Sequence, residues 1–180
     1  NKAYDCLAFM GDLFVKFTYI LYKPGTIRWK DFPFHFMRSG VDALFIVLLI
    51  VFLIGIITGY QGALQLQRFG ADIFIADLIG ISITRELAPL MTAILVAGRS
   101  GSAFAAEIGT MKVSEEIDAL NSLGFDHMTF LVVPRVIAVM VAMPLLTIMA
   151  DAAGIAGGLI TAVSTLDITI TAYINQLSRA

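Results

Sequence analysis

The sequence predicts an all-α integral membrane protein, and three observations carry that prediction. Of 180 residues, 58% are hydrophobic and 14% charged, against about 45–50% apolar and about 25% charged in ordinary soluble domains. The mean hydropathy is +0.87. One uncharged run, 43–67, is long enough to cross a bilayer, and two further predominantly apolar stretches of spanning length follow it. A water-soluble fold of this size could not hide so much apolar surface. A net charge of −2 without a basic run excludes a nucleic-acid binder, and a single cysteine, Cys6, excludes an internal disulfide framework and a cysteine metal cluster.

Residues 1–40 form the first expected region. Leu7, Phe9, Met10, Phe14, Phe17, Ile20 and Leu21 alternate with Lys2, Asp5, Asp12 and Lys16 at helical spacing. This pattern predicts an amphipathic helix lying in the membrane interface and ended by Pro24-Gly25. Trp29 and Lys30 then sit at headgroup level. The competing reading, a fourth spanning helix, must carry charges inside a short run.

Residues 41–180 form the second region, a transmembrane domain with three predicted spans. The first is 41–66, built on the charge-free run 43–67, which as a helix would be about 38 Å long. The second is 73–97, apolar except for Asp77, Arg85 and Glu86. The third lies within 130–164, with Asp151 between two uncharged halves. That stretch exceeds one span, so it is one long tilted helix or a helix that unwinds near Gly157-Gly158.

Lys2, Lys16, Lys23, Arg28, Lys30 and Arg38 precede the first span, the 67–72 connection carries only Arg68, and Arg99, Lys112 and Arg135 follow the second span. The positive-inside bias puts the N-terminus and residues 99–135 in the cytoplasm, with 67–72 and 165–170 on the other side. A start without methionine and an odd number of spans lead us to expect a fragment of a longer chain.

Candidate chemistry sits in a few places. Residues 114–123 read as a short cytoplasmic helix, N-capped by Ser114, with Glu115, Glu116 and Asp118 early, Ile117, Leu120 and Leu123 on one stripe, and Gly124 in the left-handed position after the last turn. It either docks a partner or is an ordinary loop helix. Arg85 and Glu86 lie near mid-span, where a charge costs at least a few kcal/mol. Adjacent helical residues point about 100° apart, so they are not a stacked pair. Pro89 frees the Arg85 carbonyl. This polar spot either faces a cavity that takes a polar or zwitterionic group or pairs with other helices; Asp151 poses the same choice.

Small residues three or four apart, at Gly55/Gly59, Gly98/Gly101/Ala105/Gly109 and Ala150/Gly154/Gly158, predict close helix packing. No Gly-Lys-Ser/Thr follows the glycines, so the chain has no phosphate loop of that type. Gly98-Arg99-Ser100-Gly101 matches the short pattern of rhomboid-type intramembrane serine proteases, but neither His35 nor His127 lies in a span to serve as base. Two distant histidines also argue against a metal site.

The chain resembles the MlaE-type permeases of ABC transporters that move phospholipid, a family with chloroplast relatives. The resemblance rests on Arg85-Glu86-Leu87-Ala88-Pro89, residues 97–103, 106–111 and 115–120, Gly59-Tyr60-Gln61-Gly62, Pro144-Leu145-Leu146-Thr147, and residues 154–158, all in order. It implies a homodimeric permease of the bacterial inner membrane with five spans in the full fold. It implies no enzymatic activity in this chain: ATP-Mg would be bound and hydrolysed by a separate MlaF-like ATPase, and an MlaD-like MCE-domain protein would sit on the periplasmic side. The segment Ser114, Glu115, Glu116, Ile117, Asp118 and Leu120 would be the coupling helix. Leu66, Phe69, Arg85, Glu86 and Leu87 would line a lipid cavity between two copies. The alternatives are an ion- or proton-coupled carrier using Arg85, Glu86 and Asp151, and a membrane scaffold without transport.

Overall fold

A computed structural model describes residues 2–22, 32–124, 126, 128–166 and 168–178. Every regular element among them is helical. Helix α1 is Lys2–Tyr22, α2 is Phe32–Phe36, and a π turn Met37–Val41 leads into α3, Asp42–Gln67. A 3₁₀ turn Asp72–Phe74 opens α4, Ile75–Ser82, which passes through a π turn Ile83–Leu87 into α5, Ala88–Val113. Then come α6, Glu116–Ser122, a π turn Met128–Val132, α7, Val133–Leu166, and α8, Ile170–Leu177.

Three helical stretches are long and apolar enough to cross a membrane: Asp42–Gln67, Asp72–Val113 and Met128–Leu166. The second runs well past residue 97, because the small-residue segment after Gly98 continues as helix rather than opening a connection. The third is continuous through Gly157 and Gly158 and keeps Pro144 inside it. Of the two geometries expected there, the uninterrupted helix is the one formed.

The chain divides into two compact units, residues 1–41 with 100–142 and residues 42–99 with 143–180. In the second unit, α3 presents Ala43, Val47, Val51, Gly55, Gly59 and Ala63 as a buried stripe four residues apart. Its glycine half meets the glycine half of α7. A Cβ on Gly55 would overlap the Gly154 carbonyl, and one on Gly157 would overlap the Phe52 carbonyl. The absence of side chains lets the backbones touch, which suits lipid, where van der Waals contact replaces hydrophobic expulsion. Thr161 adds hydrogen bonds to the Gly157 and Ile56 carbonyls.

The same α7 glycines seat α4: a Cβ on Gly154 would come within 2.8 Å of Ile83, and one on Gly158 within 2.5 Å of Ile79. As the α7 number falls the α4 number rises, so these helices run antiparallel, whereas Gly55/Gly154 and Gly59/Gly158 make α3 and α7 parallel. This is the up-down-up order that the alternating orientation requires. The outer side of α3 carries Phe45, Leu49, Leu53, Ile57 and Leu64, all exposed. Such a face is a liability in water and ordinary against acyl chains.

Helix α8 begins at the end of the 165–170 region expected on the non-cytoplasmic side, in a stretch with no predicted element. Its Tyr173 is buried, Leu177 covers Gly80, and Gln176 Nε2 donates to Asp77 Oδ2 at 2.7 Å. In the first unit, α1 has the expected helical form, with Leu13 packed on buried Val133. Pro24-Gly25, Trp29 and Lys30 lie outside the described residues.

Candidate functional site

Proline at position 89 shapes the second span. It has no N–H and its ring crowds the carbonyl four residues back, so an unbroken α-helix through 85–89 is costly. The chain widens instead: Ile83–Leu87 is a π turn, closed by the Ala88 N–H donating to the Ile83 carbonyl. Thr84 Oγ1 donates to the Gly80 carbonyl at 2.7 Å. The buried stripe shows the insertion directly. Ile75, Ile79 and Ile83 are buried four apart, the next buried position is Ala88, and Thr92, Val96 and Ser100 follow four apart.

On the opposite side of this turn Arg85 and Glu86 are both exposed, with Leu87 half-buried. Among the described residues, neither charge is hydrogen-bonded or ion-paired to another side chain. Asp151 precedes Gly154 on α7 by about one turn, and Gly154 contacts Ile83, so Asp151 falls level with the π turn. It is half-buried, and its Oδ1 has no partner among the described residues.

Leu66 and Phe69 lie on another turn, at the end of α3, where the Phe69 and Ala71 amides donate to the Leu66 carbonyl at 3.0 and 3.1 Å. Phe69 is 83% exposed and Leu66 half-buried. The candidate lipid contacts therefore form two groups. From Asp72 to Arg85 the helix climbs about 20 Å, comparable with the roughly 15 Å of one leaflet's hydrocarbon.

Ser114 does not cap α6. Helix α5 extends to Val113 and absorbs it: the Ser114 amide donates to the Thr110 carbonyl at 2.9 Å, and its hydroxyl lies 3.1 Å from that carbonyl and 3.1 Å from Glu116 Oε1. The reversal into α6 falls on Glu115, in the left-handed region at φ 61°, and Gly124 leaves it at φ 79° as expected. Glu115, Glu116 and Asp118 are exposed, while Ile117 and Leu120 are half-buried.

The small-residue positions part company. Gly55, Gly59, Gly154 and Gly158 are all in contact, whereas a Cβ at Gly98, Gly101 or Gly109 would meet nothing within 4 Å. Ser100, of the protease-like pattern, is buried inside α5.

Two polar clusters have no counterpart in the sequence reading. Glu107 accepts from Arg38 and from Arg135, at 3.0 and 2.7 Å. Lys16 donates to Asp126, which also accepts from the Thr129 hydroxyl at 2.6 Å and the Thr129 amide at 3.3 Å, so Asp126 caps the Met128–Val132 turn. Their partners are far apart in sequence, and no local spacing announces them.

Burial alone would raise the Asp126 carboxyl, but hydrogen bonds from Lys16 and Thr129 and the Lys16 charge outweigh it and bring its pKa from 3.8 to about 2. A depressed pKa stabilises above the unfolded value and ceases to do so as pH falls through the folded one. The tether between α1 and the 128–132 turn is therefore intact at neutral pH and released between about pH 4 and 2. With the Asp126 side chain 42% exposed, we expect about 1 kcal/mol after solvent screening. Amide exchange should show both segments losing protection over that range, and Asp126→Asn should show the same loss at pH 7.

Residues 33–180 match the family described as Permease MlaE. A Synechocystis protein named "Probable ABC transporter permease protein" is 43% identical over 138 residues, 77% of this chain and 52% of its own. The "Intermembrane phospholipid transport system permease protein MlaE" of Haemophilus influenzae is 40% identical over 148 residues, 81% of this chain and 56% of its own. The "Protein TRIGALACTOSYLDIACYLGLYCEROL 1, chloroplastic" of Arabidopsis thaliana is 37% identical over 156 residues, 87% of this chain and 45% of its own. The chain thus spans about half the length of these relatives.

Proposed function

The chain belongs to the MlaE permease family, and from that premise we propose that it is the membrane subunit of an ABC transporter that moves phospholipid between the inner membrane and a periplasmic carrier. The observation that carries this reading is the exposed Arg85-Glu86 pair on the widened turn of an otherwise apolar span. A cation beside an anion, left without partners within the described chain, offers complementary contacts to a phosphate and to the positive group of a zwitterionic lipid. Leu66, Phe69 and Leu87 supply apolar surface over a leaflet-scale distance. A second copy of the permease facing this side would enclose the cavity.

Energy would come from a separate MlaF-like ATPase carrying ATP-Mg, docked on the exposed α6 segment. An MlaD-like MCE-domain protein would receive or deliver lipid on the far side, with the N-terminus of this chain in the cytoplasm. The names of the Haemophilus and Arabidopsis relatives support the lipid class.

The test is ATP-driven phospholipid transfer in liposomes. Arg85→Ala with Glu86→Ala is expected to lower transfer by tenfold or more, the scale of losing charged hydrogen bonds. Arg85→Lys with Glu86→Asp should keep most of it. Wild-type transfer by the double alanine variant would remove this turn from the lipid site.

A further inference from the structure

Three distant parts of the chain meet at Glu107. Arg38, in the π turn just before α3, donates from Nη1 to Oε2, and Arg135, in the first turn of α7, donates from Nη2 to Oε1. Each carboxylate oxygen is held by a different guanidinium. The two arms differ in surroundings. The Arg135 side chain is 4% exposed, also donates to the Leu131 carbonyl at 3.2 Å, and lies over the Phe104 ring at 5.8 Å. The Arg38 side chain is 43% exposed, with Phe34 5.9 Å below it.

The buried arm is one the fold depends on, since removing Glu107 would strand an enclosed cation. The wet arm contributes little to stability. Its placement suggests a different role. Glu107 lies near the end of α5, shortly before the exposed α6, and Arg135 begins the helix that follows α6. A displacement of α6 acts on both flanking helices, which Glu107–Arg135 holds together. Arg38 hands that displacement to the turn that continues into the first span.

We propose that Glu107 is a positioning residue, with Arg135 and Arg38 as its two arms, that couples movement of the α6 segment to the start of α3. The inference rests on the reading of α6 as the ATPase-docking segment. It assigns Arg38 a role in transport that no stability argument would give it.

The experiment compares the full-length transporter complex with its Arg38→Gln variant, with and without nucleotide. In the parent complex, nucleotide should change amide exchange both in α6 and across residues 37–50. Arg38→Gln should assemble, hydrolyse ATP at close to the parental rate, keep the α6 response and lose the response at 37–50. Lipid transferred per ATP should fall at least fivefold, and Arg38→Lys should restore at least half. A 37–50 response unchanged in Arg38→Gln overturns the proposal, as does a variant that loses assembly and hydrolysis together. If the exchange pattern is as expected but the parent moves no lipid, the transport reading falls and the positioning role stands. A chain whose α6 binds no ATPase overturns both.

Discussion

Replacing Gly55 with valine is expected to unfold the helix packing of the second unit. An added Cβ there meets the Gly154 carbonyl, carbonyl carbon and Cα together. All three are backbone atoms, so no side chain can rotate away and one helix must move. Moving α7 also disturbs Gly158 against Ile79 and Thr161 against the Ile56 carbonyl. Overpacking on this scale costs about 3 kcal/mol. The denaturation midpoint in detergent, followed by circular dichroism, should fall sharply. Gly98→Ala is the matched control, since its Cβ meets open space and alanine favours helix by about 0.5–1 kcal/mol over glycine. A valine at 55 that melts like the parent would mean that α3 and α7 do not touch along this line.

The second large effect concerns the cytoplasmic segment. Glu115→Lys together with Glu116→Lys is expected to abolish co-purification of the ATPase, weakening association more than a hundredfold, as charge reversal at a complementary interface does. The chain itself should stay folded, because both side chains are exposed and, among the described residues, the one side-chain hydrogen bond to either is that from the Ser114 hydroxyl to Glu116 Oε1 at 3.1 Å. Normal co-purification with the double lysine variant would move the docking surface elsewhere.

Much of the fold is legible in the sequence because lipid imposes a simple rule: a span must be long, apolar and helical. The run that forms α3 satisfies it with no charge between Asp42 and Arg68. The rule weakens where charges return. Arg99, Glu107 and Lys112 make the end of α5 look like a connection, yet alanine, serine and glycine there continue the helix to Val113. Capping chemistry then misleads at Ser114, whose side chain serves the helix that is ending rather than the one that begins. Helix α8 spaces Ile170, Tyr173, Ile174 and Leu177 as a helix does, but over only eight residues, and the burial of its anchor, Tyr173, depends on tertiary contact. Arg85 and Glu86 stand out as mid-span charges, and Pro89 signals the break beside them. The Glu107 cluster stays hidden, because its partners lie 69 and 28 positions away.

The step of five between Ile83 and Ala88, set among steps of four, has a consequence for how this span can vary. The two halves present their buried positions in phase only while one surplus residue is lodged between them. A substitution anywhere from 75 to 100 changes one contact and is graded in its effect. Adding or removing a single residue shifts every contact on one side of the turn at once. The length of this helix is therefore as tightly specified as the register of a strand in a sheet, and its tolerance to indels should be far narrower than its tolerance to substitution.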